Sequence, residues 1–311
     1  MNLVVHVLRS MGRNATTLLP FSLLVGLVFQ DAAALLRPAV PCLAVALTTV
    51  TLARTDWPRV LALLRRPGLA IALSLANLIA VPLILWPFWQ SLDLWPGLVA
   101  ALCLSAMAPG IISAATTANF LRLDSSLALV MTVVSNFMVP FTLPPLALWL
   151  LGLDLKLGVW DLGSRLAAII GLSLIFALVI RRWRGPRLAA DIPVLDGLAV
   201  AVLIVFAIPL MDGILARAVG EPFKLSIFIL ASFGGMILCN ALMVGVCWPF
   251  TDRLTALTAG YSSGGRHNAL LMAVLPISVD PDIFLFIAAV QVPIYVIPAL
   301  LRPFYRRLIQ A

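Results

Sequence analysis

The chain has 311 residues, 62% of them hydrophobic and 11% charged, with a mean hydropathy of +1.10 and a formal charge of +8. An ordinary soluble domain carries roughly 45–50% apolar and about 25% charged residues, so no water-soluble core hides this much apolar sequence. A membrane-crossing helix needs roughly 20 apolar residues; about ten of them use some two-thirds of the chain and leave only short loops. No stretch is long enough for a soluble catalytic domain, and the fold class is an all-α polytopic membrane protein.

Apolar runs read against Pro, Gly and charge punctuation predict spans near 15–35, 38–53, 67–88, 96–121 and 124–150. A second set lies near 160–180, 193–212, 223–247, 253–277 and 282–301. Arg9 and Arg13 before an apolar run, followed by Ala32-Ala33-Ala34, have the form of a signal peptide, but the segment is read as the first helix. Between the second and third spans, the stretch from Arg54 to Arg66 carries Trp57-Pro58 and four arginines, and is expected to lie at the membrane interface. The four cysteines, Cys42, Cys103, Cys239 and Cys247, fall inside apolar runs without metal-like spacing and read as structural thiols.

The positive charge is a topology signal rather than a nucleic-acid footprint. One side of the membrane receives Arg9, Arg13, Arg54, Arg59, Arg65, Arg66, Arg122, Arg181, Arg182, Arg184, Arg187, Arg253, Arg302, Arg306 and Arg307. The other receives Arg37, Lys156, Arg165, Arg217 and Lys224, while Asp31, Asp93, Asp154, Asp161, Asp280 and Asp282 fall on that second side. Of 21 Lys and Arg, fifteen against five, with Arg266 inside a span, predict an even number of spans and both termini in the cytoplasm. The expected location is an inner (plasma) membrane of a bacterium.

The two halves echo one another. Asn77 and Trp86-Pro87-Phe88 in the third span are matched in order by Asn240 and Trp248-Pro249-Phe250 in the eighth. Val139-Pro140 with Pro144 is matched by Val292-Pro293 with Pro298. Five spans per half is odd, so the halves insert with opposite orientation, the inverted repeat of secondary transporters. The repeats are expected at 1–156 (helices 15–53 and 67–150) and 157–311 (helices 160–212 and 223–301).

The fourth and ninth spans, which correspond under that repeat, carry helix breakers in mid-membrane. Pro109 removes a backbone donor and Gly110 weakens the helix further, with Ser113, Thr116 and Thr117 following. Gly264-Gly265 does the same in the ninth, between Ser263 and Arg266-His267-Asn268. Irregular backbone at membrane depth survives only buried in protein or lining a wet cavity, so these breaks are expected to build a central binding site. A fixed cation there costs at least ~2.5–3.5 kcal/mol on insertion scales, which favours a functional role for Arg266. Two roles stay open: capping of broken-helix carbonyls, or direct contact with an anion, the second favoured because a guanidinium matches a carboxylate bidentately. His267 is either a hydrogen-bonded interior histidine or a proton carrier. Asn77, Thr132, Ser135, Asn136 and Asn240 add polar groups that serve as helix–helix glue or as ligands.

With ten spans, two crossing discontinuous helices, Ala108-Pro109-Gly110 and Gly265-x-x-Asn268, the chain resembles the bile acid:sodium symporter family over most of its length. The resemblance implies a core domain of the third to fifth and eighth to tenth helices. It also implies a panel of the first, second, sixth and seventh helices that moves against the core to give alternating access. The implied substrates are organic anions, from bile acids to small carboxylates, usually carried with sodium. The implied substrate contacts are Pro109, Gly110, Ser113, Thr116, Ser263, Arg266, His267 and Asn268. The ion-site remnants are Asn77, Thr132, Ser135, Asn136, Ser263 and His267.

The sodium ligands depart from the family pattern. Its Ser-Asn pair after the first break falls on Ala114 and Ala115, and its hydroxyl pair on the next helix on Ala128 and Thr132. The Glu-x-Gly-x-Gln-Asn stretch reads Ser263-Gly264-Gly265-Arg266-His267-Asn268 here, and no carboxylate lies between Asp252 and Asp280. Two like charges a few ångströms apart repel by several kcal/mol even at an effective dielectric near 20. Sodium at both family sites is therefore disfavoured, and Arg266 is expected to replace a bound cation, with transport driven by protons through His267, by exchange, or by the substrate's own gradient.

Other classes fit less well. An intramembrane enzyme needs paired acids, a metal set or a Ser/His arrangement, and the chain has two histidines, His6 and His267, and one glutamate, Glu221. A channel would favour symmetric oligomers of fewer helices, and a sensor a soluble output domain. An auxin-carrier-like or arsenite-exporter-like protein is the nearer alternative. The expected partners are a small organic anion and the bilayer; no cofactor or nucleic acid is expected, and a homodimer is left open.

Overall fold

The computed structural model describes residues 3–63, 67–111, 113–152, 158–185, 188–276 and 278–310. Arg65, Arg66, Lys156, Arg187 and Asp154 of the charge analysis, and the expected repeat boundary at 156, lie outside them. The described chain is helical, and its only extended pairing is one isolated bridge between Gly110 and Arg266.

Among the described residues, seven helices are long and apolar enough to cross a membrane: Gln30–Arg54, Gly68–Gln90, Ser125–Leu151, Val159–Arg184, Asp191–Met211, Pro222–Cys247 and Pro281–Ile309. They identify an integral membrane protein. The other three expected spans are interrupted. The first is a 14-residue helix, Ala15–Val28. The fourth divides into Pro96–Met107 and Ala114–Leu121, and the ninth into Arg253–Gly264 and Asn268–Val274.

The chain divides into two compact units, each drawn from both halves of the sequence: Met1–Asp56 with Arg165–Pro222, and Trp57–Ser164 with Phe223–Ala311. In the first unit an unanticipated helix, Leu3–Arg13, packs along Leu188–Ala207. The approach is so close that a Cβ on Gly197 would overlap the Leu8 carbonyl. The first unit also breaks at Phe29 rather than at Arg37-Pro38. Pro38 sits in the first turn of a tight helical segment, Arg37–Ala39, where a missing N–H costs nothing. The helix therefore runs on to Arg54. At Phe29 the Gln30 side chain donates to the carbonyls of Gly26 (3.0 Å), Leu27 (2.9 Å) and Met211 (3.1 Å), and accepts from the Gly213 N–H (2.9 Å). Arg37, placed in a loop by the sequence, pairs with Asp212 at 2.6 Å.

In the second unit the segment expected at the interface forms a helix, Trp57–Leu63, whose Val60 is fully buried against Ala70, Val130 and Val133. The third span carries a wide turn, Ala76–Ala80, closed by the Val81 N–H bonding back to the Ala76 carbonyl. The same unit holds the interrupted fourth and ninth spans.

Candidate functional site

At the first break the helix stops at Met107 and Ala108 turns extended (φ −66°, ψ 151°), because the Pro109 ring clashes with a helical residue before it. At the second, Gly265 (φ −81°, ψ 101°) and His267 (φ −83°, ψ 64°) leave helical geometry between Gly264 and Asn268. The two extended stretches run antiparallel and satisfy each other. The Ile111 N–H donates to the Gly265 carbonyl at 2.9 Å, and the His267 N–H to the Pro109 carbonyl at 2.8 Å. The Gly110 N–H donates to Ser135 Oγ at 3.2 Å. Backbone freed from two helices thus finds partners inside the protein, as a low-dielectric setting demands. A Cβ on Gly264 would meet the Met236 carbonyl at 3.0 Å and Asn240 Cβ at 3.3 Å, so glycine there lets the second broken helix lie close to Pro222–Cys247.

Arg266 is 2% exposed, and its guanidinium points into protein oxygens. It donates to the carbonyls of Ala108 (2.9 Å) and Asn77 (3.1 Å) and to Ser263 Oγ (3.1 Å). Both carbonyls are orphans of their own helices. Ala108 lies in the break. Asn77 loses its two helical donors, because the Val81 N–H bonds the Ala76 carbonyl and residue 82 is a proline without N–H. The Cys239 thiol lines the same small cleft as Arg266, with Ser105, Ser232 and Trp89. Among the described residues, no carboxylate pairs with this guanidinium.

Thr132, Ser135 and Asn136 occupy the neighbouring helix Ser125–Leu151 and are bonded largely within it. Thr132 Oγ1 donates to the Ala128 carbonyl (2.9 Å), Ser135 Oγ to that of Thr132 (3.0 Å) and Asn136 Nδ2 to the same carbonyl (2.8 Å). Asn268 Nδ2 reaches the Arg266 carbonyl at 3.4 Å. Around the crossing, the buried Asn77 Oδ1, Asn136 Oδ1, Asn268 Oδ1 and His267 Nδ1 have no hydrogen-bond partner among the described residues.

The structure therefore gathers Asn77, Pro109, Gly110, Ser135, Ser263, Arg266, His267 and Asn268 at one crossing, with Thr132 and Asn136 on the helix behind. Ser113 lines a second cleft with Thr117, Asn240 and Tyr261, against Ile111, Gly264 and Gly265 of the crossing. Thr116 lines neither cleft and is exposed. Thr117, four residues beyond Ser113, shares its helical face instead. Sequence reasoning passed over Tyr261 and Tyr305. Their rings meet edge to face at 6.3 Å, and the Tyr305 hydroxyl accepts from Asn240 Nδ2 (2.7 Å) and donates to Asn240 Oδ1 (3.1 Å). The available signal was scarcity: the chain has three tyrosines, and two meet here.

Among the described residues no three of His, Cys, Asp and Glu come together to hold a metal. No family model matches the chain, and a search of curated proteins returns no match. The site is accordingly read from its own chemistry.

Proposed function

We propose that the chain is a secondary transporter of the bile acid:sodium symporter type, moving a small or amphipathic organic anion by alternating access of ten spans in two inverted repeats. In this reading it is a carrier and not an enzyme. The single observation that carries the proposal is the pair of broken helices joined through their breaks within one compact unit drawn from both halves of the sequence. Breaking a helix in a bilayer is costly, and doing so twice at one place is the mark of a central transport site.

Sodium coupling does not fit the residues present. Ala114 and Ala115 offer no side-chain oxygen, and Arg266 brings a permanent charge to the crossing. We assign Arg266 the place of a cation: it binds the orphan carbonyls that an ion would otherwise bind. Its hydrogen bonds to the Ala108 and Asn77 carbonyls and to Ser263 Oγ favour this role over direct capture of substrate. Uptake then runs on a proton gradient through His267, on exchange, or on the anion's own gradient.

A sodium-coupled organic anion symporter with altered ligands is the second reading. The undonated acceptors Asn77 Oδ1, Asn136 Oδ1 and Asn268 Oδ1 favour it, being oxygens of the kind a monovalent cation takes. Against it stands the repulsion from Arg266; ordered water satisfies the same acceptors without it. The test is uptake of a panel of labelled organic anions into proteoliposomes under a sodium gradient, a proton gradient or neither. Uptake indifferent to sodium and abolished by Arg266→Gln is the expected result. Sodium-driven uptake overturns the assignment of Arg266, and no uptake of any anion under any gradient overturns the transporter reading.

A further inference from the structure

One end of the second unit is ringed by arginines that have no acid partner among the described residues. Leu121, Leu123, Leu257, Tyr261 and Tyr305 form one buried cluster there, with Leu301 and Ile309 against it. The Asp124 N–H ties to Thr258 Oγ1 at 3.1 Å, drawing the loop after Ala114–Leu121 onto Arg253–Gly264. Arg122, Arg253 and Arg302 stand around this cluster, and Arg306 and Arg307 continue one turn beyond. Among the described residues none of the five lies within ion-pairing distance of a carboxylate. The two acids nearby are already engaged. Asp124 accepts from the N–H groups of Ser126 (2.8 Å) and Leu127 (3.1 Å), and Asp252 from the N–H and hydroxyl of Thr255 (3.0 and 2.5 Å).

Two of the arginines are held in place by aromatic rings. The Arg302 guanidinium lies 4.3 Å from the centroid of Phe120, and that of Arg253 lies 5.6 Å from Trp248. The Nε of each is buried without an acceptor. Cation–π contact holds each guanidinium against a ring, which limits the orientations it takes toward an oxyanion.

Arg122 supplies an independent sign. It turns the chain out of Ala114–Leu121 in the left-handed region (φ 63°, ψ 29°), with the Leu123 N–H returning to the Ala118 carbonyl at 2.9 Å. Glycine is the usual residue at this position, and an arginine there is strained. Strain kept at one residue points to use of its side chain.

The surroundings say what the anion is attached to. The apolar helices Pro222–Cys247 and Pro281–Ile309 end here and Ser125–Leu151 begins here. Phe120, Phe250 and Phe304 beside the arginines are 49%, 84% and 64% exposed. Exposed aromatics among cations at the ends of apolar helices mark the headgroup level of a bilayer. We propose that Arg122, Arg253 and Arg302 form a binding site for the phosphate of an anionic phospholipid, whose acyl chains lie along the neighbouring apolar helices.

The test uses full-length protein in phosphatidylcholine micelles, titrated with phosphatidylglycerol and, separately, with inorganic phosphate. Binding is read by native mass spectrometry and by the thermal unfolding midpoint. Phosphatidylglycerol should bind and raise the midpoint, while inorganic phosphate should do neither. Arg253→Gln and Arg302→Gln should each weaken phosphatidylglycerol binding about tenfold, and Arg306→Gln or Arg307→Gln less than about twofold. Arg122→Gly is the sharpest variant: it should raise the midpoint in phosphatidylcholine alone, by relieving the left-handed strain, yet weaken phosphatidylglycerol binding. Equal losses at all five arginines would mean diffuse surface charge and overturn the site. An equal response to inorganic phosphate would overturn the lipid as its source.

Discussion

If Arg266 stands in for a bound cation, its bond to the Asn77 carbonyl depends on Pro82. Arg266→Met keeps an apolar stem and removes the guanidinium, leaving the buried carbonyls of Asn77 and Ala108 without their donor. An orphaned buried acceptor costs about 1–3 kcal/mol, so the pair costs ~2–6 kcal/mol. The substitution also removes a buried charge, which returns ~2.5–3.5 kcal/mol on insertion scales. These terms offset one another, and the single variant decides nothing. A double-mutant cycle does. Pro82→Ala restores an N–H at a position from which it can reach the Asn77 carbonyl, so that carbonyl no longer needs Arg266. The cost of Arg266→Met should then fall by about 1–3 kcal/mol in the Pro82→Ala background. The loss of Pro82 packing and the altered insertion cost appear on both sides of the cycle and cancel. The measurement is reversible unfolding of the four proteins in mixed micelles with rising dodecyl sulfate fraction. Costs that agree within about 0.5 kcal/mol in the two backgrounds would refute the reasoning, because independent sites add to that accuracy.

Four further outcomes are expected. Gly264→Ala should destabilise by about 1–3 kcal/mol, since its Cβ meets the Met236 carbonyl at 3.0 Å, whereas Gly234→Ala, with nothing within 4 Å, should not; thermal unfolding of the pair checks this. Asn240→Leu and Tyr305→Phe should each cost about 1–2 kcal/mol and the double variant much less than their sum, because they break one reciprocal pair. Gln30→Ala should loosen the helix junction at Phe29, read as faster amide exchange over residues 26–30 and 211–213 than over Leu188–Ala207. Hydrogen bonds from Thr255 hold the Asp252 carboxyl below its ordinary value. Its cap is therefore present above the ordinary carboxylate pKa of about 4 and is lost as pH falls through the lower folded value. Wild type and Asp252→Ala should differ in stability at neutral pH by about 1 kcal/mol, and the difference should vanish in acid.

Why some features were legible and others not follows from how local their causes are. Pro109 and Gly264-Gly265 break helices by what they lack, a donor or a side chain, and that reads directly from sequence. Pro38 misled for the same reason: a proline in the first turn of a segment needs no donor, so the helix passes through it and the break falls at Phe29. Leu3–Arg13 was passed over because His6, Arg9 and Arg13 resemble a loop, although apolar residues recur between them at helical spacing. The choice of role for Arg266 needed distant information. Its partners at Asn77 and Ala108 are orphaned by a wide turn and a break far away in the chain, and neither orphan is visible without the fold. One helical step decides that Thr117 faces the cleft and Thr116 does not, and two adjacent threonines look alike in the sequence.

If the chain is the carrier proposed above, a cation that belongs to it changes what it can do. An ion that binds and leaves brings its gradient to each cycle; a guanidinium held by Ala108, Asn77 and Ser263 remains through every cycle and contributes no work. It supplies only the constant part of the ion's role, binding the broken backbone. On this reading, accumulation of the anion above its equilibrium distribution must come from a second titratable group or a counter-substrate, because a ligand shifts an equilibrium only by its differential affinity for the two states. His267 lies at the crossing itself, buried, with Nδ1 unpaired among the described residues. His267→Gln should leave equilibration down the anion gradient intact and abolish accumulation driven by a proton gradient. Loss of both would place His267 with the structural groups; loss of neither would leave exchange as the driving mode.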